Sequence, residues 1–214
     1  MKIRNSLILV TGASSGIGEH TARALAAAGA RVVLVARRAE LVDTTAGELR
    51  EHGHHAWAYT ADLGTPDGAR QLRSRVLTDL GVPDAIVNNA GAGRFLRIEE
   101  TSLEEAVDMM NAPYFASFFT TRVFIEEMLD RGSGTIVMVN SPVAWMPWPG
   151  AVGYAAARYA VRGLTDALRQ DLRGTGLVVG QVTPAASTAL LRRQSWRVRT
   201  HPHRRTAARL GHPQ

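Results

Sequence analysis

Short β-branched and apolar runs alternate with amphipathic stretches of helical length along most of this chain, a pattern typical of βαβ units on a parallel sheet. It predicts strands at Leu7–Thr11, Arg31–Ala36, Ala56–Thr60, Ala85–Asn88, Thr135–Val139 and Val178–Val182. It predicts helices near Gly16–Ala28, Ala39–His52, Pro66–Leu80, Ser102–Arg131 and Gly153–Gly174. We therefore expect one Rossmann-like α/β domain, a doubly wound parallel sheet between two helical layers, with strand order 3-2-1-4-5-6.

The basic character of the chain belongs to its C-terminal end. Leu191–Gln214 contains seven arginines and no acidic residue, so the net charge of +6 leaves Met1–Leu190 at −1. This segment has no helical or alternating pattern, which predicts a disordered basic tail (191–214) behind a domain of residues 1–190. Such a tail can bind polyanions in a salt-sensitive way, but it matches no recognition motif, so a nucleic-acid partner is not expected.

Composition removes several classes of function. The chain has no cysteine, which excludes disulfides, thiolate metal sites and a cysteine nucleophile, and no metal site is predicted. No apolar run reaches the roughly 20 residues of a membrane span, and the first residues lead directly into a strand rather than resembling a signal peptide. We expect a cytoplasmic protein with no membrane partner.

A glycine-rich turn joins the first strand to the first helix and predicts a dinucleotide site. Glycines allow the tight turn and a close approach of the backbone to a pyrophosphate, which the helix N-terminus attracts. Three glycines alone also make ordinary turns, but the strand-turn-helix context favours the dinucleotide. The candidate residues are Gly12, Ser14, Ser15, Gly16, Ile17 and Gly18.

Three further strand ends carry candidate cofactor contacts. Arg37 and Arg38 follow the second strand, where a forked donor suits a phosphate; the alternative is a solvated pair opening the next helix. Asp62 follows the third strand, and by itself could cap the helix near Pro66. The fourth strand ends in Asn88-Asn89-Ala90-Gly91, which could also be a plain turn.

A tyrosine and a basic residue four positions apart share one face of the last helix. Tyr154 can donate or accept a proton, and Arg158 beside it would stabilise the phenolate. Ser141, thirteen residues before the tyrosine, adds a hydroxyl to the same proton-transfer site. The alternative for Arg158 is an exposed helix residue paired with a carboxylate.

Together, Thr-Gly-x-x-x-Gly-Ile-Gly, Asn-Asn-Ala-Gly and the Ser141–Tyr154 spacing resemble the short-chain dehydrogenase/reductase family over roughly residues 5 to 190. The resemblance implies hydride transfer between a nicotinamide and a carbonyl or secondary alcohol. It implies that Tyr154 moves the proton, Ser141 binds the substrate oxygen and Asn111 holds a water in a proton relay. It also implies cofactor contacts from Asp62, Leu63, Asn89, Ala90, Gly91, Tyr154, Arg158, Pro184 and Thr188.

The resemblance also suggests which cofactor is used. Ala36 stands where relatives that prefer NAD carry aspartate, so NADP(H) is expected over NAD(H), with Arg37 as first contact to the 2′-phosphate and Arg38 as support.

Two departures from the family pattern affect the expected activity. The family has lysine at the position of Arg158, and Lys2 is the only lysine in the chain. We expect weakened activity, and the alternative is a catalytically impaired NADP-binding module. Near the end, Pro184-Ala185 replaces the family's Pro-Gly, and Thr188 falls one residue early. The family's last strand is expected to be missing, with the C-terminus shortened or replaced.

The resemblance finally places the substrate and the subunit contact. Trp145, Met146 and Trp148 lie in the family's substrate-facing loop, and Gly93, Arg94 and Phe95 are expected on the opposite wall. This lining favours a small hydrophobic substrate, although the same aromatics could pack in an interface or the core. A homodimer or homotetramer is implied, formed by the long helices that carry Asn111 and Tyr154.

Overall fold

A computed structural model describes residues 2–184, which form one parallel sheet between two layers of helices. The strands are β1 (Leu7–Thr11), β2 (Arg31–Ala36), β3 (Ala56–Thr60), β4 (Ala85–Asn88), β5 (Gly134–Val139) and β6 (Leu177–Val182). The helices are α1 (Gly16–Ala27), α2 (Ala39–Glu51), α3 (Pro66–Asp79), α4 (Leu103–Met110), α5 (Ala116–Arg131) and α6 (Val152–Asp171). The strand order β3-β2-β1-β4-β5-β6, parallel throughout, confirms the predicted Rossmann-like class.

The predicted strands agree closely with the observed ones, but the predicted long helix is divided. Four strands match at both ends, and β5 and β6 each begin one residue earlier than expected. Instead of one helix over Ser102–Arg131, α4 and α5 are joined by a π turn at Asn111–Phe115. Pro113 lies inside this turn, and a proline cannot donate the backbone hydrogen bond of a regular α-helix, so the ladder widens there.

Alternate residues of the central strands bury their side chains in two separate cores. Ile8, Val10, Val32 and Leu34 face α1 and α2, whereas their neighbours, such as Leu9 and Val33, face α3 and α5. Burial on both faces explains why these strands are continuously apolar. Because every strand is parallel, the carboxyl ends meet at one edge of the sheet, where a ligand crevice forms.

Some expectations fall outside the described residues. These are the basic tail 191–214, the missing last strand, Ala185 and Thr188. In the described part of the chain, no helix combines the length and apolar character that crossing a membrane requires.

The outer strand β3 is tied to α3 by a buried tyrosine. The Tyr59 hydroxyl donates to Asp79 Oδ2 at 2.6 Å, and the Arg75 guanidinium lies 4.7 Å from the ring centroid. Burial, followed by the hydrogen bond to Asp79, raises the pKa of Tyr59 to about 12. The folded state therefore holds the phenolic proton more tightly than the unfolded chain, whose tyrosines titrate near pH 10.

This pKa makes the stability depend on alkaline pH. Since the folded pKa is the higher one, the contribution is fully present below about pH 10 and is lost as pH rises toward 12, up to about 3 kcal/mol. Tyr59→Phe should lower the unfolding free energy at pH 8 but reduce its fall between pH 9 and 11.5, as measured by urea denaturation. Tyr114→Phe is the control and should retain the wild-type fall. An equal fall in Tyr59→Phe and wild type would contradict this assignment.

Candidate active site and cofactor cleft

The glycine-rich turn leaves β1 in a backbone conformation that suits glycine. Gly12 and Gly16 have φ of 65° and 59°, in the left-handed region. A Cβ on Gly12 would lie 2.8 Å from the Cα of Ala90, so the turn also lies directly against the end of β4. Ser15 then precedes α1, whose first N–H groups point into the crevice.

Asn89 and Thr11 fasten the end of β4 to this turn. Asn89 Nδ2 donates to the carbonyl oxygens of Thr11 at 3.0 Å and Gly12 at 3.3 Å. In return the Thr11 hydroxyl accepts from the backbone N–H groups of Asn89 at 3.0 Å and Ala90 at 2.9 Å. Asn89 therefore holds the glycine-rich turn against β4, and Thr11, to which sequence reasoning gave no role, is its partner. The alternative of a plain Asn-Gly turn does not account for these contacts.

Of the two arginines after β2, Arg38 is the one that reaches the turn. Both side chains are exposed, and Arg38 Nη2 donates to the hydroxyls of Ser14 at 2.8 Å and Ser15 at 3.0 Å. Across residues 2–184, neither Arg37 nor Arg38 forms an ion pair with a carboxylate. An arginine held by neutral hydroxyls keeps its charge available to an anion at the mouth of the crevice.

The residues after β3 divide between the crevice edge and the core. Asp62 is exposed, and its Oδ1 accepts from the N–H of Gly64 at 3.1 Å. It does not cap α3; the cap is Thr65, whose hydroxyl accepts from Gly68 N–H at 3.1 Å, so the helix-cap alternative for Asp62 is wrong. Leu63 turns inward and is buried. The exposed carboxylate of Asp62 is therefore available to a ligand at the crevice edge.

Asn111 lies in the π turn, across the loop from Asp62. A Cβ added to Gly64 would lie 3.4 Å from the Cβ of Asn111. The π turn also packs against α6. Pro184 lies two residues beyond β6 and is the last described residue, whereas the predicted contact of Thr188 falls outside the described range.

Arg158 is buried beside Tyr154, and this pair is the centre of the site. The two residues are 9% and 5% exposed, and the Arg158 guanidinium carbon lies 5.2 Å from the centroid of the tyrosine ring. Arg158 Nη1 donates to the carbonyl of Val139 at 2.9 Å, and Nε finds no partner within the described residues. Arg158 is therefore not the exposed, carboxylate-paired residue of the alternative interpretation, which is wrong.

The end of β4 leaves room for this guanidinium. A Cβ on Gly91 would lie 2.6 Å from Arg158 Nη2, so glycine is needed where the arginine approaches the crevice. The positive charge is consequently held between the tyrosine ring, the end of β5 and the end of β4.

The end of β5 holds both Ser141 and the tyrosine helix through a buried asparagine. Asn140 Nδ2 donates to the carbonyl of Arg158 at 3.2 Å, and its Oδ1 accepts from the N–H of Ser141 at 2.9 Å. Among residues 2–184, the Ser141 hydroxyl accepts one long bond, 3.4 Å, from Val143 N–H, and donates to none of them. Sequence reasoning missed Asn140, although a polar residue ending a buried strand was a usable signal.

Tyr154 is enclosed by loops from both sides of the crevice. Gly93 packs so closely on its ring that a Cβ there would clash with the ring carbons, and the Phe95 centroid lies 5.7 Å away. Met109, Val143 and Ala151 complete a small core around the tyrosine. The ring is therefore fixed by packing, as a proton-transfer residue must be.

The aromatic residues beyond this core line the outer mouth of the crevice. Phe95 stacks on Trp148 with centroids 6.1 Å apart. Trp145, Met146 and Trp148 are all substantially exposed, so the alternative that they pack in the core is wrong. Arg94, from the facing loop, is paired with Glu105.

Comparison with known proteins identifies the family. A family model described as short chain dehydrogenase matches residues 6–197. The chain belongs to the short-chain dehydrogenase family. It is 32% identical over 187 residues to a short chain dehydrogenase of Pseudocercospora fijiensis, which covers 86% of this chain and 60% of that protein. The chain spans about 60% of the length of the first curated relatives that it matches.

Solved short-chain dehydrogenase structures share the fold. A metagenomic short-chain oxidoreductase in complex with NADP is 29% identical, with a TM-score of 0.82 over 87% of this chain and 85% of that one. A gluconate 5-dehydrogenase from Burkholderia cenocepacia, in complex with NADP and tartrate, is 28% identical, with a TM-score of 0.84 over 90% and 76%.

The contact between Gly18 and Asn89 in this short-chain dehydrogenase is testable. A Cβ on Gly18 would clash with Asn89 Nδ2 and with the carbonyl of Gly12, so Gly18→Ala must part the turn from β4. We expect a loss of about 1–3 kcal/mol in unfolding free energy and a lower Tm.

Gly163→Ala is the matched control, because Gly163 lies in α6 with open space around its Cβ position. This change should raise stability by about 0.5–1 kcal/mol through helix propensity. Equal melting temperatures for the two variants in thermal denaturation would show that the turn and β4 are not locked together.

Proposed function

We propose that this protein is an NADP(H)-dependent oxidoreductase that transfers hydride between the nicotinamide and a carbonyl or secondary alcohol of a small hydrophobic substrate. The observation that carries the proposal is the buried Tyr154–Arg158 pair at the same sheet edge as the glycine-rich turn. Two solved relatives that share the fold were crystallised with NADP, which supports the choice of cofactor.

The residues present fit a dinucleotide. The Gly12–Gly18 turn and the α1 N-terminus would hold the pyrophosphate, and Arg38 would hold the 2′-phosphate with Ser14 and Ser15 beside it. The Asp62 carboxylate and the backbone of Leu63 would border the adenine, and Ala90 and Gly91 the ribose. The buried Nε of Arg158 has no hydrogen-bond partner among the described residues, so this side chain keeps an unused donor beside Tyr154.

When bound, the cofactor supplies hydride to the carbonyl carbon or accepts it from the carbinol carbon. In reduction the C=O double bond becomes C–O, and the oxygen takes its proton from the Tyr154 hydroxyl. Ser141 donates a hydrogen bond to the same oxygen, and its weakly engaged hydroxyl is suited to this. Arg158 favours the phenolate that remains on Tyr154, because its positive charge is fixed beside the ring. Asn111 would hold a water through which the proton is replaced.

Arginine performs this role differently from the lysine of the family. Its guanidinium is planar and holds the Val139 carbonyl through Nη1, so Arg158 cannot move freely toward the tyrosine hydroxyl. A displacement of about 1 Å in a catalytic group can cost about a hundredfold in rate. We therefore propose activity that is retained but weakened.

The second candidate is an impaired NADP-binding module with the same fold. One observation favours it: the Arg158 guanidinium contacts the face of the tyrosine ring and a backbone carbonyl, and both contacts can serve the fold alone. In this case the crevice binds cofactor, and turnover is absent because the cation does not act on the phenol oxygen.

We further propose a cytoplasmic homodimer or homotetramer. The helices next to the site present apolar side chains to solvent: Leu103 and Val107 on α4 are 83% and 58% exposed, and Phe118 on α5 is 39% exposed. Burial of such side chains against a second copy would remove apolar area from water.

Cofactor preference is the first test. Energy transfer from tryptophan to the reduced nicotinamide should give saturable binding, with NADPH about ten- to a hundredfold tighter than NADH because a charge-assisted hydrogen bond reads the 2′-phosphate. Arg38→Ala should remove most of this preference and Arg37→Ala less. Arg70→Ala, on exposed α3, is the control and should retain it. Equal affinities would refute the NADP(H) preference, and no binding of either would refute the oxidoreductase.

Replacing Arg158 separates the two candidate functions. Arg158→Lys should raise kcat at least tenfold for NADPH-dependent reduction in a carbonyl screen, because a lysine ammonium can approach the tyrosine hydroxyl. Arg158→Met should abolish turnover. Arg169→Lys, further along α6, should change nothing. If the wild type and Arg158→Lys both bind NADPH but neither turns over any carbonyl, the binding module is the correct function.

A further inference from the structure

Two aromatic side chains extend the wall of the crevice outward from Tyr154. The Phe95 ring lies 5.7 Å from the Tyr154 ring at an angle of 56°, and the Trp148 ring lies 6.1 Å from Phe95 and within 14° of parallel. Tyr154 is almost fully buried, Phe95 is half-buried and Trp148 is 40% exposed. The three rings therefore form one continuous surface from the proton-transfer residue to solvent.

Backbone contacts fix this surface. Leu96 forms a parallel bridge with Ala151, and the Ala151 N–H donates to the carbonyl of Trp148 at 3.2 Å. Phe95 directly precedes the bridge, and Tyr154 follows it by three residues. The spacing of the rings is thus set by main-chain pairing between the two loops, so a substrate meets a preformed surface.

The charge around the surface indicates what it can accept. Residues 91–97 and 141–154 contain two arginines, Arg94 and Arg97, and no carboxylate. Arg94 is paired with Glu105, and Arg162 lies over the Trp145 ring at 5.3 Å. A cationic substrate would find no counter-charge in these two loops, whereas a neutral planar group would gain ring contacts.

We propose that Phe95 and Trp148 determine specificity, and that they select substrates with an aromatic ring attached to the reacting carbon: aryl ketones for reduction and aryl carbinols for oxidation. The proposal rests on the proposed function, because it takes Tyr154 as the group that binds the reacting oxygen. The expected substrate class is thereby restricted from small hydrophobic molecules to those with a planar aromatic ring. Ring stacking adds affinity for such a ring beyond what burial of its apolar area gives.

The test compares 1-phenylethanol with 1-cyclohexylethanol, which share the carbinol and the six-carbon ring but differ in that the phenyl ring is planar and aromatic and the cyclohexyl ring is puckered and saturated. Each alcohol is titrated by calorimetry into the protein saturated with NADPH, where both partners are already reduced and no hydride can pass. We expect 1-phenylethanol to bind about three- to tenfold more tightly. Trp148→Leu should bring this ratio close to one while leaving NADPH affinity unchanged, and Phe95→Leu should reduce it as well.

Trp57→Leu is the matched control, because Trp57 lies on β3 and stacks on His55, away from the crevice. It should retain the phenyl preference. Equal binding of the two alcohols by the wild type, or a preference that persists in both Trp148→Leu and Phe95→Leu, would overturn the proposal.

Different results would refute the proposed oxidoreductase function and the aromatic surface formed by Phe95 and Trp148. If NADPH does not bind, the proposed function is refuted, and the alcohols are titrated into the protein alone. A phenyl preference that Trp148→Leu removes there would still support the aromatic surface, whereas its absence would overturn both.

Discussion

Arg158, a buried arginine with no carboxylate partner among residues 2–184, lies where β4, β5 and α6 meet. Arg158 contacts the ends of two strands and the face of the tyrosine ring, so its position fixes β4, β5 and α6 relative to one another. Burying a charge is costly unless hydrogen bonds and nearby polarisable groups offset the cost. One backbone carbonyl and a cation–π contact, which contributes about 0.5–2 kcal/mol, offset part of it. Within the described residues the buried Nε has no hydrogen-bond partner, so the rest of the cost is not offset by a contact to that atom.

A separate set of hydrogen bonds holds the glycine-rich turn, and this turn meets the surroundings of Arg158 at the end of β4. Thr11 and Asn89 exchange hydrogen bonds that hold the glycine-rich turn against this strand end, and Gly91, two residues further on, makes room for Arg158. A cofactor seated on the turn would therefore reach toward Tyr154 along one rigid segment. On β5, Asn140 plays the corresponding part by holding Ser141 and α6 together. Asn89 and Asn140, at neighbouring strand ends, thus hold the glycine-rich turn, Ser141 and α6 in fixed positions.

Hydrophobic periodicity and glycine placement were sufficient to predict the sheet, because its central strands β1, β2 and β4 are buried on both faces and the turn after β1 requires glycine. The break between α4 and α5 was missed, although Pro113 could have revealed it. The burial of Arg158 could not be predicted, since it depends on the meeting of β4, β5 and α6, which are distant in sequence. For the same reason we expected Arg37 as the first contact to the 2′-phosphate and Arg38 as support, whereas in the structure it is Arg38 that reaches the turn. The sequence also could not show which of two nearby residues caps α3: in the structure the cap is Thr65 and not Asp62.

A crystal structure of the protein with NADP⁺ would show directly whether Arg158 meets the cofactor. We expect the pyrophosphate on the Gly12–Gly18 turn and a nicotinamide ribose hydroxyl about 3 Å from the Arg158 guanidinium, which retains its bond to Val139. A bound cofactor whose ribose lies beyond hydrogen-bonding distance, with Arg158 still closed on Val139 and Tyr154, would contradict this expectation. In that case Arg158 would only pack in the fold, and the chain would bind a nucleotide without catalysing hydride transfer.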